Sequence, residues 1–101
     1  MEDNLEYRKR LASERRVVEF YDRKALEMIA QRFNGNERIA GLKHDNGIEI
    51  CDPAREAELI RGMEREFRHL PPGFVRDYYN LILRYSKEIM QGVFDDIESS
   101  R

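Results

Sequence analysis

No proline interrupts the chain from Asn4 to about Lys43, and apolar residues recur there at Leu11, Val18, Ala25 and Ile39, a seven-residue lattice. Tyr21, Leu26, Ile29, Phe33 and Leu42 lie beside it. An uninterrupted stretch with this period predicts one long helix. Gly35 and Gly41 fall inside it at roughly 1 kcal/mol each relative to alanine, which weakens the helix locally without ending the pattern. At 1.5 Å per residue, a helix of about 38 residues is roughly 57 Å long, more than the diameter of a compact domain of this size. Two further helices of the same chain cannot cover its apolar stripe. A second chain is therefore expected along it, giving an intertwined helical homodimer.

The rest of the chain divides at its turn residues. His44-Asp45-Asn46-Gly47 supplies turn chemistry, with Gly47 free to take a positive φ. Ile48 to Cys51 reads as a short extended connector. Asp52-Pro53 is a helix start, because an aspartate can cap free N–H groups and a proline in the first turn has no N–H to leave unpaired. The second helix is expected from Ala54 to about Arg68, with Ala57, Leu59, Ile60, Met63 and Phe67 on its apolar side. Leu70-Pro71-Pro72-Gly73 stops it, since a residue before proline is pushed out of the α region. A third helix follows from Phe74 to about Ile97 with a broad apolar face, and Ser99-Ser100-Arg101 is expected to fray. The fold class is thus all-α, three helices in a single domain over residues 1–101.

Composition narrows the function. With 41% hydrophobic residues the chain is too apolar for disorder, and a formal charge of −2 gives no cationic field for nucleic acid or an anionic membrane. The basic residues Arg8, Lys9, Arg10, Arg15 and Arg16 are interleaved with Glu6, Glu14, Glu19 and Asp22, as on a solvated helix face. Cys51 is the only cysteine, which excludes an intrachain disulfide and a cysteine zinc cluster. His44 and His69 lack metal-ligand spacing, so no metal is expected. Apolar runs are short and Met1 is followed by Glu2 and Asp3, so neither a membrane span nor a signal peptide is expected and the cytoplasm is the expected compartment.

Charges stand where a charge needs a reason. Arg32 occupies the empty place in the apolar lattice, and a cation there requires a partner. Lys43 lies eleven residues on, about 20° around the helix and about 16 Å along it, so the two side chains can bracket a small anion. Arg15 is roughly 25 Å from Arg32 along the helix and about 100° around it, too far to share that ligand within one chain. Asp52, Arg55 and Glu56 open the second helix, where Arg55 can fork onto a carboxylate and Glu56 can accept from a hydroxyl. Each also has a structural reading: Asp52 as helix cap, Glu56 as a first-turn acid favoured by the helix dipole.

The order Arg15, Asp22, Arg32, Lys43, then Asp52-Pro53-Ala54-Arg55-Glu56, then Ser86 resembles the all-helical AroQ class of chorismate mutases over nearly the whole chain. The resemblance implies that Arg32 of one chain and Arg15 of the other bind the two carboxylates of chorismate. It implies that Lys43 meets the ether oxygen and one carboxylate, that Glu56 and the backbone near Asp52 and Arg55 hold the ring hydroxyl, and that Ser86 supports from the third helix. The implied catalytic residues are Lys43, Arg32 and Glu56. The implied reaction is the Claisen rearrangement of chorismate to prephenate, an isomerisation in the phenylalanine and tyrosine branch that needs no cofactor, acid, base or nucleophile. Catalysis then consists of restraining a chair-like conformer and stabilising charge that grows on the ether oxygen.

The sequence departs from that family at one position. The family has a glutamine or glutamate four residues after the serine, where this chain has Met90, and Gln91 comes one residue late. On a regular helix Met90 lies about 40° from Ser86 and Gln91 about 140° away, so assigning Gln91 to the substrate site requires a helix irregularity. Two alternatives stand beside the mutase: an isochorismate-pyruvate lyase or aminodeoxychorismate mutase on the same fold, and a non-catalytic regulatory helical module.

Overall fold

A computed structural model describes residues 2–101, with side chains from Asn4 onward; Met1 and the side chains of Glu2 and Asp3, the expected acidic start, lie outside the described residues. Three α-helices follow one another: α1 (Glu2–Asp45), α2 (Pro53–Glu66) and α3 (Phe74–Ser99). No strand occurs among the described residues. The chain divides into two compact units, one ending at Arg32 and one spanning Phe33–Arg101.

The first unit is helix alone. Its described residues form no interior of their own: Val18, Tyr21, Leu26 and Met28 are 58%, 65%, 66% and 65% exposed, and Ala25 of the expected stripe is exposed as well. The apolar lattice is present in this unit as a helical row, and the burial expected of it is not met within one chain.

The second unit holds the core. Gly35 and Gly41 are helical, and α1 continues to Asp45, two residues beyond the expected end. Gly47 then takes φ +64°, the left-handed conformation that its turn chemistry predicts. The connector 48–52 is irregular, and Cys51 on it is exposed. Asp52 caps α2 through its side chain, which accepts from the backbone N–H of Arg55 at 3.1 Å. Pro53 sits in the first turn, where its missing N–H costs nothing.

α2 ends at Glu66, two residues before the expected Arg68. The chain must turn before Pro71, and it tightens: the N–H of Phe67 bonds the carbonyl of Met63, and that of Leu70 bonds Phe67. Phe67, expected on the apolar side of the helix, is 40% exposed at the cap. Gly73 takes φ +82° and leads into α3. The fraying expected at the C-terminus is also revised, because Ser99 is helical and the hydroxyls of Ser99 and Ser100 both donate to the Asp96 carbonyl, at 3.2 and 2.8 Å.

α3 contributes most of the core through Tyr79, Ile82, Ser86 and Met90, a buried row at helical spacing. Ile60 from α2 and Ala40 from α1 are buried too. Two ion pairs fix α2 and α3 as antiparallel neighbours: Glu64 to Arg76 at 2.7 Å near one end, and Glu56 to Lys87 at 3.0 Å toward the other. At the end of α1, His44 packs edge-on against Phe94 with ring centroids 4.9 Å apart and lies 3.5 Å from the Glu98 carboxylate.

Candidate active site

Lys43 lies in the last turn of α1, half-buried, and its ammonium donates to the carbonyl of Ile50 at 2.8 Å. Its own carbonyl accepts from Asn46 at 3.2 Å and from Ile48 at 2.9 Å. Backbone and side chain of one residue thus hold both ends of the connector that delivers Asp52. The ammonium carries three donors, and the bond to Ile50 uses one.

The first turn of α2 presents three candidate residues in different ways. The Asp52 side chain is committed to the cap. Arg55 is exposed, with its guanidinium 3.9 Å from Glu58 and its backbone N–H on Asp52. Glu56 is half-buried and points at α3: its two carboxylate oxygens lie 3.0 and 3.2 Å from the Lys87 ammonium.

The Lys87 side chain is 39% exposed and that of Glu56 25%. The hydrogen bond to Glu56 holds the lysine above its ordinary pKa, with the Glu56 and Cys51 charges acting in the same direction and burial opposing them. The sign follows: the pair's stabilisation is complete below the ordinary lysine value and is lost only as pH rises through the raised one. Partial exposure screens it, so its contribution to folding is small.

On α3, Ser86 is 1% exposed and donates to the Ile82 carbonyl at 2.8 Å. Met90, one turn on, is 7% exposed. α3 is α-helical without a break through this region, so the irregularity that Gln91 requires is absent. Gln91 is exposed and its amide donates to Asp95 at 2.9 Å. The side chain on the Ser86 side is therefore Met90, and Gln91 turns away from it.

Arg15 and Arg32 belong to the other unit. Arg15 is fully on the exposed surface of α1, and Arg32 is half-buried. Among the described residues no group of three histidine, cysteine, aspartate or glutamate side chains is placed to hold a metal ion, and no helix is long and apolar enough to cross a membrane.

Spacing along the chain does not point to Lys87. It is 31 positions from Glu56, and helical arithmetic along one element cannot see a pair made between two. The available signal is weaker: a lysine four residues after Leu83 and three before Met90, at the margin of an apolar row. What the arrangement offers chemically is an anchored ammonium on α1 and a neutralised carboxylate on α2.

Residues 14–91 match the family described as chorismate mutase type II. No curated protein and no solved structure matches the chain.

Proposed function

The chain belongs to the chorismate mutase type II family, and from that membership we propose that it catalyses the Claisen rearrangement of chorismate to prephenate. The observation that carries this reading is the extent of the match, which includes every candidate residue from Arg15 to Gln91. Lys43 stabilises the charge that grows on the ether oxygen as the C–O bond breaks, and Arg32 binds a carboxylate. Arg15 reaches the second carboxylate from another copy of the chain, so the working unit is a homodimer. Glu56 accepts from the ring hydroxyl, the Asp52–Arg55 backbone lies beside it, and Ser86 supports from α3. The exposed apolar row on α1 supports the second copy, since such a face needs cover.

No proton is transferred and no covalent intermediate forms. The chain's task is to select the folded conformer of the substrate and to aim fixed cations at the developing charge. The reaction is followed as the loss of chorismate's ultraviolet absorption. Wild-type protein is expected to accelerate that loss, and Arg32→Ala to lower kcat/KM by about 100-fold or more with helicity unchanged. No acceleration by the wild type would refute the assignment.

One observation favours a second reading. Met90 puts an apolar group where the family's second donor to the ether oxygen stands, which suits a non-catalytic module that regulates a neighbouring enzyme. Under that reading Arg32→Ala changes neither stability nor any turnover.

A further inference from the structure

Glu56 meets the substrate hydroxyl in the reading above, and a carboxylate beside a dianion needs compensation. Chorismate brings two negative charges and Glu56 a third. Lys43, Arg32 and the second copy's Arg15 supply three positive ones, but all three are engaged with the ether oxygen and the carboxylates. In that reading none of the three is assigned to Glu56. In this structure the group that does is Lys87, whose ammonium spans both Glu56 oxygens at 3.0 and 3.2 Å from a position directly after Ser86 and one turn before Met90.

We infer that Lys87 is a positioning residue of the site, holding the Glu56 carboxylate in place between α2 and α3 and cancelling its repulsion of a dianionic substrate. This rests on the mutase reading. The geometry gives it two parts. A salt-bridged carboxylate has fixed oxygens, and each oxygen keeps a lone pair for a substrate hydroxyl after Lys87 is served. The pair is also half-buried, so the cancellation is stronger than it would be between side chains in open water.

A lysine that only ties α2 to α3 would leave substrate affinity alone. A lysine that serves Glu56 shows itself in KM. Chorismate kinetics and thermal midpoints are measured for the wild type, Lys87→Met, Lys87→Gln, Lys87→Arg and Glu56→Gln, and for Lys87→Met combined with Glu56→Gln. Loss of the cation is expected to raise KM by about tenfold in the Met and Gln variants, a typical loss for a charge-assisted contact. Arginine restores most of the affinity. In the Glu56→Gln background the Lys87→Met change adds little, because the charge it answers is gone.

An active wild type whose KM ignores all three Lys87 changes overturns the inference and leaves the mutase assignment standing. A Lys87→Met penalty that persists in full beside Glu56→Gln also overturns it, since the lysine then acts on the substrate directly. A wild type with no turnover of chorismate refutes the mutase reading and this inference with it. Should Lys87→Met fail to fold, the Gln and Arg pair decides on the same readout.

Discussion

A methionine at position 90 puts a side chain with no hydrogen-bond donor on the Ser86 side of α3, 7% exposed in the chain. In the proposed mechanism Lys43 is then the lone donor to the ether oxygen. Met90→Gln adds a second donor, an amide, and a preorganised donor at a developing oxyanion is worth about 3 kcal/mol. We expect kcat on chorismate to rise by at least about tenfold, while burial of an amide lowers folding stability by about 1–3 kcal/mol. An unchanged kcat in a folded variant would show that position 90 does not face the breaking bond. This much of the residue scale is legible in the sequence, because 100° per residue already separates Met90 from Gln91 about the axis. The Glu56–Lys87 pair is not legible, nor is the bond from Lys43 to Ile50. Both depend on how segments meet, which no spacing within one helix encodes.

At the scale of elements, the start of α2 joins stability and function in one turn. The Asp52 side chain caps the helix, and the proposed substrate contact nearby comes from backbone, so the two roles separate by substitution. Asp52→Ala is expected to cost about 1 kcal/mol of stability, whereas Asp52→Asn keeps the cap and leaves both the thermal midpoint and KM close to wild type. Equal damage from both substitutions would mean that the carboxylate itself binds ligand. Helix identities were readable because proline and glycine mark them: Pro53 opens α2, Pro71 and Pro72 close the region after it, and Gly47 and Gly73 take the positive φ that the turns need. Ends were less readable. α1 gains two residues to Asp45, α2 gives up two residues to the turn that precedes Pro71, and α3 keeps Ser99 through hydroxyl bonds to Asp96. Each of these is a hydrogen bond made after the helical pattern has run out.

At the scale of the whole molecule, the proposed site takes Arg32 from one copy and Arg15 from another, a geometry that can be tested by mixing. Arg15→Ala and Arg32→Ala proteins are each expected to be inactive. Refolded together in equal amounts, half the dimers are mixed, and each mixed dimer has one site with both arginines, so about a quarter of wild-type turnover returns. No recovery on mixing would show that each site draws both arginines from one chain. The length of α1 is the sequence feature behind the proposed second copy, and the exposed Val18, Tyr21, Leu26 and Met28 are the surface that we propose it covers. That surface has a thermodynamic corollary. When apolar cover comes from another molecule, folding and association are one equilibrium, and the free energy of unfolding carries the logarithm of total protein. Such a chain has no melting temperature independent of its concentration, and dilution acts on it as a denaturant.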